Sequence, residues 1–209
     1  MKLLVAAVPA VLLAAVASFS SPGQAVTDQK TPQPNARASA SGANAQALPA
    51  PLKLPLVNPK IVVSKSARRL ELYSGGRVVR VYRVVLGGDA VNDKEREGDL
   101  RTPEGDFRVV VKNEKSQFHL SLGLSYPNRE DAERGLRAGL ITRADYDRIV
   151  GAIRRGRTPP WDTPLGGEIY IHGGGTSSDW TAGCVALDNS DIQELFDAVP
   201  VGTPVRIEP

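Results

Sequence analysis

"RRLELYSGGRVVRVYRVVLG" runs from Arg68 to Gly87, and its reading decides the fold class. Leu70 and Leu72 alternate with Arg69, Glu71 and Tyr73, the period-two pattern of a half-buried strand. Ser74-Gly75-Gly76 reads as a turn, and the β-branched run from Val78 to Leu86 as the returning strand. "KIVVSK" at 60–65 supplies one more strand ahead of this pair, so the front of the chain is a hairpin or meander.

Downstream the pattern continues. A charged stretch, "GGDAVNDKEREGDLRTPEG" at 87–105, has no periodicity; loops of that length in compact domains are often functional. "DFRVVVK" then predicts one face carrying Phe107, Val109 and Val111, and "QFHLSLG" a face carrying Phe118, Leu120 and Leu122. Alternation turns His119 outward. Asn128 and Thr142 are expected to cap two helices, the first ended by Gly139 and the second striped by Tyr146, Ile149, Val150 and Ile153. After a loop at 154–167, "EIYIH" returns to strand, with Ile169 and Ile171 on one face and Tyr170 and His172 on the other. Ser190 and Gln193 have the spacing of a capping box for a helix striped by Ile192, Leu195, Phe196 and Val199. "TPVRI" closes the chain as a strand. Many strands and few helices predict a mainly β sandwich or barrel with a helical insertion and a short C-terminal helix.

The front of the chain reads differently. Met1 and Lys2 precede a fifteen-residue apolar run from Leu3 to Ala17, short for a membrane span and suited to a secretory signal. Ala15-Val16-Ala17 and Gly23-Gln24-Ala25 are candidate cleavage sites, so residues 1–25 are expected to be a signal peptide. Residues 26–55, rich in Pro, Ala and Ser, have too little apolar surface to offset ordering and read as a flexible tether. That leaves 56–209 as the folded domain, exported to the periplasm or cell wall with no membrane span after cleavage. A net charge of +3, with both signs interspersed, argues against a nucleic-acid surface but suits an anionic polymer outside the cell.

Chemistry concentrates in "HGGGTSSDWTAGC", His172 to Cys184, which holds the chain's only cysteine and one of its two histidines. An exported protein with one cysteine has no internal disulfide, so that thiol is a buried bystander, an intermolecular link or a reactive group. A glycine before a nucleophile permits a sharp turn, a nearby imidazole can take the thiol proton or pair with it as imidazolium, and a following helix start favours thiolate. N–H groups around Gly183 and Cys184 are natural oxyanion donors. A core cysteine and a merely hydrogen-bonded histidine are the bland alternatives. Other motifs fail. "HGGG" has no G-x-S-x-G partner, the glycine run lacks the remainder of a dinucleotide or phosphate-loop fingerprint, and no metal-ligand spacing is present. Neither cofactor nor metal is expected.

Four segments together resemble the YkuD-like L,D-transpeptidase catalytic domain of bacterial cell-wall enzymes. They are the hairpin at 68–87, "RTPEGDF" at 101–107, "LSYPN" at 124–128 and "IHGGG…TAGCVALDN" at 171–189, and the resemblance covers 58–207. It implies a mostly β enzyme acting on peptidoglycan stem peptides, with Cys184 as nucleophile and His172 as base and acid. It also implies that the Gly173 carbonyl orients His172, and that Ala182, Gly183 and Cys184 N–H groups receive the oxyanion. A thioester would pass to an acceptor amine, giving a 3→3 crosslink or attachment of a wall-anchored protein. Two positions depart from the family pattern: Ala182 stands where a histidine is usual, and Ala186 where arginine or asparagine is usual. Those losses bear on substrate positioning and on the acceptor. A thiol-dependent hydrolase or amidase of the same fold, resolving the thioester with water, is the alternative; a non-catalytic wall-binding module is a further one.

Overall fold

The structure, a computed structural model, describes residues 50–209. The expected signal peptide at 1–25 and the tether up to residue 49 lie outside the described residues. Eight strands and three helices follow: β1 (Lys60–Ser64), β2 (Arg69–Ser74), β3 (Arg77–Arg83), β4 (Gly105–Ser116), β5 (His119–Leu124), α1 (Arg129–Arg137), α2 (Arg143–Arg154), β6 (Tyr170–His172), β7 (Val185–Ala186), α3 (Asn189–Ala198) and β8 (Pro204–Glu208). The mainly β reading, with a helical insertion and a short helix near the C-terminus, describes this arrangement. The predicted turn is the two-residue connection Gly75-Gly76, both at positive φ (57° and 77°), which only glycine adopts without cost.

All strands join one sheet in the order β3-β2-β1-β8-β4-β5-β6-β7. Pairings are antiparallel except β1 with β8 and β6 with β7. Past β3, the chain reaches the far edge of this order: Val85 pairs with Ala186 of β7 through reciprocal N–H···O bonds of 3.0 and 2.9 Å. The two ends of the sheet are thereby tied together, which removes an open edge at β7. One core fills the interior, drawing Ile61, Leu70 and Leu72 from one half and Leu122, Ile171 and Leu187 from the other, all fully buried.

Two expectations need correction. Val111 does not share the buried face of Phe107 and Val109; the register shifts between Val109 and Val111, and the bulge leaves Val111 38% exposed. Ser190 and Gln193 form no capping box. The N-cap of α3 is Asp188, without a side-chain cap bond, and Gln193 Nε2 donates instead to Asp197 at 2.9 Å. Asp188 is occupied elsewhere, accepting from Thr176 Oγ1 at 3.1 Å, and Asn189 Oδ1 accepts the Gly174 N–H at 2.9 Å. The start of α3 thus ties down the glycine loop rather than capping itself. The other two caps form as expected, Asn128 with Asp131 and Thr142 with Asp145 in reciprocal boxes. Helices α1 and α2 share a small separate core with Leu165, which anchors the loop leading into β6.

The charged stretch at 87–105 is ordered by ion pairs. Lys65, at the end of β1 and 1% exposed, donates to Glu104 at 2.7 Å and to the Asn92 carbonyl at 2.8 Å. Arg134 of α1 holds Asp93 at 2.9 Å and the Lys94 carbonyl at 2.8 Å. Removing one partner of a buried pair strands the other; Glu104, 23% exposed, softens that cost. Lys65→Met is expected to destabilise the domain by about 3 kcal/mol, read in calorimetry as a fall in Tm of roughly 10 °C.

Candidate active site

Strand β6 places the first side chain. Its alternation buries Ile171 in the core and turns His172 to the opposite face, where the imidazole is still only 3% exposed. The backbone then bends at Gly173, whose carbonyl lies 2.6 Å from His172 Nδ1. A carbonyl only accepts, so Nδ1 carries the ring proton and Nε2 presents a lone pair. Gly173 has no room for a side chain: a Cβ would sit 2.5 Å from Asn189 Oδ1 and 2.7 Å from the Phe118 carbonyl. The ring itself is clamped, stacked on Phe118 (centroids 4.7 Å apart) and met edge-on by Trp180 at 5.5 Å. Trp180 is fixed by its Nε1, which donates to the Gly175 carbonyl at 3.2 Å. Burial among these rings pushes the His172 pKa below its usual 6.5, against the opposing pull of the Gly173 carbonyl.

The second side chain comes from the turn before β7. Gly183 sits at φ +133°, and a Cβ there would lie 2.7 Å from the Arg101 carbonyl. Thr181, buried, clamps this turn: its Oγ1 donates to the Cys184 carbonyl at 2.7 Å and accepts the Gly183 N–H at 3.1 Å. The Gly183 N–H, expected as an oxyanion donor, is therefore engaged. Cys184 Sγ accepts the Tyr170 N–H at 3.4 Å, and its S–H reaches the Glu168 carbonyl at 3.6 Å. Among the described residues no hydrogen bond joins Sγ to His172. The two stand on adjacent strands, Cys184 just before β7, where Ala186 pairs with His172. Burial raises the thiol pKa above its usual 9.0, opposed by the Tyr170 N–H. Burial thus biases both groups toward their neutral forms. The expected influence of a helix start does not enter directly, because β7 intervenes and α3 begins only at Asn189; the one backbone donor on sulfur is Tyr170.

Sulfur opens onto a cleft of about 550 Å³ whose lining includes Lys94, Glu97, Trp161, Glu168 and Ala182. One wall is the charged loop. Lys94, 3% exposed, is held by Asp99 at 2.8 Å, and Asp99 also accepts three backbone N–H groups, from Glu95, Arg96 and Arg101. The two departures from the family pattern differ in kind. Ala182 is exposed at the cleft, whereas Ala186 is fully buried and its backbone pairs with Val85. His119 is exposed at the start of β5, as its alternation predicted. Phe118, Trp180, Thr181 and Glu168 went unrecognised in the sequence; Trp180 and Thr181, inside the His172–Cys184 segment, carried a signal that could have marked them.

Comparison with known proteins places the chain in a family. Residues 58–207 match the YkuD L,D-transpeptidase catalytic domain. The chain belongs to that family, and it is a transpeptidase-type domain. It is 26% identical over 155 residues to the candidate L,D-transpeptidase YqjB of Bacillus subtilis, covering 72% of this chain and 71% of that one. Among solved structures, the helical cell shape determining protein Pgp2 of Campylobacter jejuni aligns at 22% identity with a TM-score of 0.48, over 72% of this chain. This chain spans about half of that one, 47%. The Mycobacterium tuberculosis L,D-transpeptidase 1 aligns at 16% identity and a TM-score of 0.42, covering 73% of this chain and 62% of that one.

With two histidines in the chain, the clamp on His172 is open to a direct test. In an NMR titration His172 is expected to titrate below pH 6.5 with Nδ1 as the protonated nitrogen. Trp180→Ala admits water to the ring, which favours the charged form, so its midpoint should rise toward 6.5.

Proposed function

We propose that this protein is a cysteine-dependent peptidoglycan L,D-transpeptidase acting outside the cytoplasm. What carries the proposal is the chain's one thiol, opening onto the cleft next to a strand that ends in a tautomer-fixed imidazole. In this reading the Cys184 thiol turns toward His172 and gives its proton to Nε2 as sulfur attacks the carbonyl of the third stem residue. Negative charge develops on that oxygen, facing the N–H groups of Ala182 and Cys184, with the Gly183 N–H held by Thr181. The bond to the terminal D-alanine breaks, and the departing amine takes the proton from Nε2. The resulting thioester accepts an incoming amine, whose proton passes to His172 as the new amide forms and the sulfur leaves. The sulfur then regains its proton.

No step passes through a metal or cofactor. The signal peptide at 1–25, the tether and delivery to the wall belong to the same proposal, which places the domain beside its polymer. The acceptor is the amine of a second stem peptide or of a wall-anchored protein.

Hydrolysis is the second reading, and the exposed Ala182 favours it: where the family usually has histidine, a methyl group leaves that side of the cleft open to water. Incubation with an isolated tetrapeptide stem and an amine acceptor separates the two. A joined dimer supports transfer, and a shortened monomer supports hydrolysis. Cys184→Ala is expected to abolish either product, and His172→Ala to slow turnover by about 10²–10⁴-fold; unchanged turnover in Cys184→Ala would overturn the proposal. Because the base must be unprotonated, and burial lowers its pKa, kcat/KM is expected to stay flat down to pH 6.5 and to fall only below it.

A further inference from the structure

The sulfur of Cys184 does not rest on the imidazole. Its S–H points to the Glu168 carbonyl at 3.6 Å, a reach normal for the larger sulfur atom, while the Tyr170 N–H approaches from the other side at 3.4 Å. Glu168 is in an unusual position to provide that carbonyl. Its φ is +53°, in the left-handed region that a side chain with a Cβ rarely enters. The two residues before it make the path tight. Gly166 has φ +77°, and a Cβ on Gly167 would overlap the Trp161 ring at 2.2 Å. Trp161 is in turn packed against Tyr170, ring centroids 6.0 Å apart. A glutamate kept in a glycine conformation, with an exposed side chain that forms no hydrogen bond or ion pair among the described residues, needs its surroundings to hold it there. What the conformation gains is the carbonyl on sulfur.

We propose that Glu168 is a positioning residue for Cys184: its strained backbone carbonyl latches the protonated thiol away from His172, and occupation of the cleft, which Glu168 itself lines, lets the segment relax and frees the thiol for the base. A carbonyl oxygen accepts S–H but repels a thiolate, so the latch favours the protonated sulfur; release moves the same proton from the S–H···O contact to an S–H···Nε2 one. The strain makes the latch weak enough to open. Relaxing Glu168 toward negative φ offsets much of the lost contact, so substrate binding has little to overcome. This inference rests on Cys184 being the nucleophile and His172 its base.

The chain has one cysteine, so alkylation by iodoacetamide at pH 7.5 reports on this thiol alone. Four substitutions separate the backbone from the carboxylate. Glu168→Gln removes the charge and keeps the backbone preference, and is the reference. Glu168→Gly and Glu168→Asn accept the left-handed region readily and deepen the latch; alkylation should slow about five-fold relative to Gln. Glu168→Val disfavours that region more strongly, so alkylation should quicken by about the same factor. Turnover should follow the same order at subsaturating substrate. A carboxylate effect alone moves all four variants the same way from wild type with no spread about Gln, and that result overturns the latch. If Val fails to fold, the Gly–Gln and Asn–Gln differences decide. Persistence of turnover in Cys184→Ala would instead overturn the assigned nucleophile, so the two failures are distinguishable.

Discussion

Two rungs of parallel backbone pairing, Ile171 with Val185 and His172 with Ala186, hold together everything that follows. A two-residue strand has no stability of its own. It persists because both sides are occupied: β6 pairs on one side, Val85 on the other, and the Leu187 N–H closes onto the His172 carbonyl at 2.8 Å. This arrangement fixes where Cys184 falls relative to His172 without any direct bond between their side chains. Ala186 lies fully buried within the same pairing.

The electrostatics follow from the same enclosure. Phe118 and Trp180 exclude water from the imidazole, and the cleft wall buries the thiol; each group is biased to its neutral form by the cost of desolvating charge. On the proposed mechanism, such a site keeps the imidazole lone pair available and moves charge only when a carbonyl is in place to receive the sulfur. The tautomer set by one 2.6 Å contact to Gly173 leaves Nε2 with its lone pair free to take a proton.

Local patterns were the most legible part of the sequence. The 69–83 hairpin, its Gly75-Gly76 turn and the caps at Asn128 and Thr142 depend on neighbours in the chain, and each formed where alternation or cap chemistry placed it. His172 and Cys184 could be singled out because one thiol and one histidine fell in the same glycine-rich segment, whereas Gly173 was marked only by the resemblance to the family. Features set by distant contacts were not legible. Ser190 and Gln193 have capping-box spacing, yet tertiary demand on Asp188 and Asn189 set the helix start instead. Alternation missed the bulge that exposes Val111. Phe118 lies 54 positions before the ring it stacks on, and nothing local links it to His172. The charged stretch at 87–105 showed its length but not its order, which comes from Lys65 and Arg134 far away in the chain.

The central claim is that Cys184 carries the acyl group. Its most direct test is an acid quench of the enzyme with a tetrapeptide stem in the first turnovers, followed by intact-mass and peptide mapping. The account predicts an adduct equal to the stem less its terminal alanine, confined to the Cys184 peptide and sharply reduced in His172→Ala. Turnover at full rate with unmodified Cys184 throughout would contradict it.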